Sequence, residues 1–114
     1  MSHRRVVVTG MGAVTPLGND LASTWEGVVN GRSGIGPVTH FDTTGFTTRI
    51  AGQIRDFDPT AFVPPKDAKK MEPFIHYGLA ASFMALDDSG LEITAANAER
   101  IGAILGSGIG GILG

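Results

Sequence analysis

Arg4-Arg5-Val6-Val7-Val8-Thr9-Gly10-Met11-Gly12 stands near the amino terminus of this 114-residue chain. Three consecutive β-branched valines without polar alternation predict a strand covered on both faces, as in a parallel sheet. At the other end Ile101-Gly102-Ala103-Ile104-Leu105 reads as a second buried strand, running into Gly106-Ser107-Gly108-Ile109-Gly110-Gly111-Ile112-Leu113-Gly114. A strand that ends in Gly-x-Gly delivers its backbone to a ligand or to another backbone at close range. Nothing after Gly114 receives it, so the chain is expected to be the front part of a larger protein.

Between these strands the punctuation is clear. Thr15-Pro16-Leu17-Gly18 is a turn. Asn19 or Asp20 can cap a helix over about Leu21 to Asn30, with Gly31 just past its end. Leu21, Trp25, Val28 and Val29 share one face of it. Ser33-Gly34-Ile35-Gly36-Pro37 and Asp42-Thr43-Thr44-Gly45 read as irregular, and Thr48 to Ile54 as a short strand weakened by Gly52. Asp58-Pro59 suits a helix start, and Pro64-Pro65 ends that segment. Lys66 to Met71 forms one short helical piece. Pro73 begins a new helix or kinks a longer one.

From Phe74 to Ser89 the pattern is helical, with Ile75, Leu79, Phe83 and Leu86 as a stripe and Gly90 as C-cap. Gly78, Ala80, Ala81, Ser82 and Ala85 make this helix narrow, so it can pack closely and be buried on most sides. Thr94 to Glu99 is a polar turn or short helix. Strands alternating with helices predict an α/β layered fold with a largely parallel sheet. Two apolar strands and an apolar helix require more sheet and more helices around them. No repeats, low-complexity tracts or clear linkers interrupt the chain.

Composition narrows the function classes. The length suits one small domain. The 17 glycines imply tight turns or close backbone contacts. A net charge of -2 gives no global pull toward nucleic acid or membrane. The absence of Cys excludes disulfides, zinc thiolate sites and a thiol nucleophile within these residues. No apolar run approaches a membrane span, and the amino terminus lacks the apolar core of a signal peptide. A cytoplasmic location is the default expectation.

Val8-Thr9-Gly10-Met11-Gly12-Ala13 invites comparison with a dinucleotide-binding loop, but Thr15 stands where that motif needs Gly. Pro16 and Gly18 break the helix that would carry the phosphate, and no second strand ends in an acid at the right distance. The segment reads instead as a strand turning sharply into a loop. His3, His40 and His76 lack metal-ligand spacing, so no metal or other cofactor is expected. His76, among apolar residues, reads as a hydrogen-bonded structural group. Asp87-Asp88 reads as a solvated helix end.

Lys66, Lys69 and Lys70, at i, i+3 and i+4, share one face of a helix. Placed at the start of their segment they oppose the helix dipole, at about 0.3–1 kcal/mol each. Such a face suggests an acidic partner, although on spacing alone an ordinary solvated charge run is favoured. Gly106 to Gly111 reads either as strand exit and turn or as a loop passing a chain-like substrate, with Ile109 its only large apolar side chain.

Taken in order, these residues resemble the β-ketoacyl-[acyl carrier protein] synthases. The resemblance rests on Arg4 to Gly12 leading to Thr15-Pro16-Leu17-Gly18, Ser33-Gly34-Ile35, His40-Phe41-Asp42, Lys69-Lys70-Met71 and Phe74-Ile75 with Tyr77-Gly78. It continues through Asp88-Ser89-Gly90-Leu91-Glu92-Ile93, Arg100-Ile101-Gly102 and Gly106 to Gly111. The elongating synthase II type is the most similar. The resemblance implies a thiolase-like layered α/β/α architecture, incomplete in this chain, with residues 1–114 as the amino-terminal part of the first half and no complete second domain. It implies a dimeric enzyme that joins an acyl thioester to malonyl-carrier protein by decarboxylating Claisen condensation. The thiol nucleophile and catalytic histidines of that family lie beyond these residues, so no catalytic residue is assigned here and the segment alone is expected to be inactive. The resemblance also implies that Lys66, Lys69 and Lys70 dock the acidic helix of acyl carrier protein, which reverses the reading of the charge run. It implies that Gly108 and Ile109 form the bend and gate of the acyl pocket. Pro73 departs from the small residue expected at its position. A polyketide ketosynthase and a non-catalytic chain-length partner subunit share the opening motifs.

Overall fold

Asp20 begins the first regular element of the computed structural model, which describes residues 2–112. Its carboxylate accepts from the Ser23 backbone N–H at 2.8 Å, and helix α1 (Leu21–Val29) follows. Asn30 is the C-cap and Gly31 takes the left-handed conformation just beyond it, at φ +65°. Ahead of α1, Thr15 and Gly18 exchange two backbone hydrogen bonds of 2.9 and 3.1 Å across the expected Pro16-Leu17 turn. The Thr15 and Thr24 hydroxyls, 2.9 Å apart, tie that turn to the helix. The apolar face of α1 does not reach a core: Trp25, Val28 and Val29 are exposed and only Gly27 is buried.

Strands β1 (Ile35–Pro37) and β2 (Ile50–Gly52) form an antiparallel pair with Ile35 opposite Gly52, Gly36 opposite Ala51 and Pro37 opposite Ile50. β2 lies within the expected strand. β1 corrects the reading of Ser33 to Pro37 as irregular, because its hydrogen bonds come from residues some fifteen positions away that its Gly- and Pro-rich local sequence does not announce. Pro37 lacks an N–H to continue the ladder. The buried side chain of Gln53 ties down the chain at and after this strand: its amide donates to the Pro37 carbonyl and accepts from the Thr39 N–H, each at 3.1 Å. These elements belong to one compact unit, Ala13–Asp58.

The second unit joins the chain up to Gly12 with the residues from Pro59 onward. Its main element is α3 (Pro73–Ser89), which follows a 3₁₀ turn (Pro59–Ala61) and the short helix α2 (Pro65–Ala68). Pro73 occupies the first turn of α3, where its missing N–H costs nothing. The proline therefore starts the helix, one of the two outcomes its chemistry allows. Gly90 ends it in the left-handed conformation. Pro64-Pro65 starts α2 and does not simply close the preceding segment. Val63, Ala68 and Ala80 are the buried apolar residues of this unit. The rest of α3 is half-buried or exposed, less enclosed than its narrow sequence predicts.

Residues 4–12 and 101–105 form no strand and pair with none among the described residues. Val6 is 87% exposed and Ile104 99%. Both expected strands are thus corrected to unpaired segments without regular structure. A strand is defined by ladder partners, and the described residues offer these two runs none. The described residues build one antiparallel pair with three helices, and not a parallel layered sheet.

The amino-terminal segment is nevertheless positioned. Gly10 and Gly12 lie against the small-residue stripe Ala81, Ala85 and Ser89 of α3. A Cβ on Gly12 would come within 2.8 Å of both Ala85 N and Met84 Cβ, and one on Gly10 within 2.5 Å of Ser89 N. Between them the Met11 N–H donates to the Asp88 carboxylate at 2.9 Å. Gly12→Val is therefore expected to lose roughly 1–3 kcal/mol to overpacking, read as a lower urea midpoint. An unchanged midpoint would contradict the close approach.

Asp20 supplies a second test. The Ser23 hydroxyl and then the Ser23 N–H hold its carboxyl below the ordinary carboxylate value. A depressed folded pKa means the cap is at full strength above the unfolded value, about 3.9, and weakens as pH falls through the folded value. Asp20→Ala is expected to cost about 1 kcal/mol at neutral pH. That difference should shrink below about pH 4, the unfolded carboxylate value, when thermal unfolding is followed as a function of pH.

Candidate functional site

The lysine cluster is built by prolines. Pro65 starts α2, and the helix ends after Ala68. Buried Val63 and Ala68 anchor the segment, and the Val63 N–H donates to the Pro59 carbonyl at 2.9 Å. His76 Nε2 lies 2.9 Å from the Ala68 carbonyl, which ties α3 to the end of α2 and bears out the structural reading of that histidine. With Ala68 turned inward, Lys66, Lys69 and Lys70 all stand exposed.

Their relation to the helix differs from expectation. Only Lys66 lies within α2; Lys69 is its C-cap and Lys70 follows in the turn. Lys69 and Lys70 thus sit at the carbonyl end, where cations are favoured. The expected dipole penalty does not apply to them. The cluster is a locally comfortable basic surface, displayed by a short anchored helix.

The glycine run forms a turn. Ser107 Oγ accepts from the Gly110 N–H at 3.0 Å, and Gly110 packs so tightly on Phe74 that a Cβ would come within 2.6 Å of the ring. Ile109 is 76% exposed and Gly108 has open space where a side chain would stand. An apolar cavity of about 280 Å³ lies beside this turn, lined by Phe74, Ile75, Gly78, Leu79, Leu105, Gly106 and Ser107. Gly108 and Ile109 are outside that lining. Leu113 and Gly114 lie outside the described residues.

Two structural contacts have no counterpart in the sequence reading. Asp88 is exposed, as a solvated helix end would be, yet its carboxylate holds the Met11 amide. The solvated-end reading of that residue holds, and the contact adds to it across 77 positions, for which sequence offers no signal. Gln53 likewise completes the β1 edge. The Gly10-Met11-Gly12 segment serves close packing on a helix. His3 and His40 are exposed. Among the described residues no group of three or more His, Cys, Asp or Glu could hold a metal ion, and no helix is long and apolar enough to cross a membrane.

Comparison with known proteins places this geometry. The family model for the β-ketoacyl synthase amino-terminal domain matches residues 3–112. The chain is similar to 3-oxoacyl-[acyl-carrier-protein] synthase 2 of Vibrio harveyi, 57% identical over 112 residues that cover 98% of this chain and 27% of the relative. The chain thus spans about a quarter of the length of the curated relatives it matches. Among solved structures, the ishigamide ketosynthase/chain length factor is 39% identical with a TM-score of 0.70, covering 80% of this chain and 23% of the other. A type II polyketide acyl carrier protein in complex with its hexaketide-bound ketosynthase is 30% identical with a TM-score of 0.56, covering 75% and 22%. The proline-started helices, the glycines packed on α3 and the terminal glycine turn all fall within the matched residues, and the chain belongs to the β-ketoacyl synthase family through its amino-terminal domain.

Proposed function

We propose that this chain is the amino-terminal part of a fatty-acid-elongating 3-oxoacyl-[acyl carrier protein] synthase of thiolase-like layered architecture, cytoplasmic and dimeric at full length. The observation that carries the reading is the 57% identity to a synthase 2 across nearly all of the chain. The reaction is a decarboxylating Claisen condensation. An acyl group resides on a cysteine thiolate as a thioester. Malonyl-carrier protein loses carbon dioxide, and the resulting carbanion attacks the thioester carbonyl. The new carbon–carbon bond forms and the thiolate leaves. Donors that hold the developing oxyanion lower the barrier. This chain has no Cys, so it supplies no thiol nucleophile; in this reading the catalytic histidines also lie outside it, and His3, His40 and His76 are not among them.

Its own contributions are docking and shape. Lys66, Lys69 and Lys70 form an exposed basic surface suited to the acidic helix of acyl carrier protein, where complementary charge raises the encounter rate and sets orientation. One structural neighbour is a ketosynthase solved with its carrier protein, which supports that partner. Gly108 and Ile109 are proposed as acyl-pocket wall and gate. The two structural neighbours, one a ketosynthase/chain length factor and one a type II polyketide ketosynthase, favour a second reading, a polyketide ketosynthase or chain-length subunit, but at 39% and 30% identity they are less similar than the synthase 2 relative.

Three outcomes test the proposal. Reversing all three lysines to Glu in the full-length protein should weaken carrier-protein binding by roughly tenfold, since exposed ion pairs contribute about 0.2–1 kcal/mol each. Binding measured by calorimetry that does not change would remove the docking role. Ile109→Phe should shift products toward shorter acyl chains; an unaltered product profile by mass spectrometry would remove the gate. Residues 1–114 alone should show no condensation with acyl and malonyl carrier protein, whereas the full-length protein should turn over and lose activity on thiol alkylation. Full activity after alkylation would overturn the mechanism.

A further inference from the structure

No further inference is drawn: the strongest candidate, the apolar cavity between helix α3 and residues 105–107, lined by Phe74, Gly78, Leu79 and Leu105, carries nothing because no feature of the structure shows what covers it.

Discussion

The constraint on which the α3 unit depends is the close packing of the Gly10-Met11-Gly12 backbone against the small-residue stripe of α3. Backbone can lie this near a helix only where neither side projects a bulky group. Two glycines supply that condition on one side, and Ala81, Ala85 and Ser89 at helical spacing supply it on the other. The approach in turn puts the Met11 amide within reach of Asp88, so a donor that has no ladder partner gains an acceptor. Helix α3, begun by Pro73 and stopped by Gly90, is the platform on which the amino-terminal segment, α2 and the terminal glycine turn are each placed.

Prolines do the corresponding work for the basic surface. Pro59 opens a 3₁₀ turn, Pro65 opens α2 and Pro73 opens α3, so three short starts follow within fifteen residues. Each start reorients the chain without a long loop. Because α2 closes at Ala68, its buried side points inward and the lysines after it project to solvent. Charge placement here follows from where the helix stops, a boundary that residue spacing alone locates only to within a residue or two.

Much of this was legible in the sequence. Asp20, Gly31, Pro73 and Gly90 are residues whose own stereochemistry or hydrogen bonding marks a helix boundary, and each stands where it was read. The Thr15–Gly18 turn was equally plain. The strands were not. Val6-Val7-Val8 and Ile101 to Leu105 carry strong β preference but form no ladder here, while Ile35-Gly36-Pro37, with weak preference, does. Propensity describes how well a residue suits a pleated surface; the partner strand decides whether that surface exists. The lysine cluster was visible as a pattern, but its relation to the helix dipole came out reversed for two of its three members.

The sequence by itself determined the local boundaries and, through ordered motifs along nearly the whole chain, the family. Capping residues, prolines and left-handed glycines act within a few positions, so their effects are written where they stand. Tertiary structure alone decided which distant groups meet. The Asp88 carboxylate on the Met11 amide, the Gln53 amide on the β1 edge and the glycine backbone on α3 depend on residues separated by between 14 and 79 positions. Such contacts follow from chain path, and no local pattern encodes them.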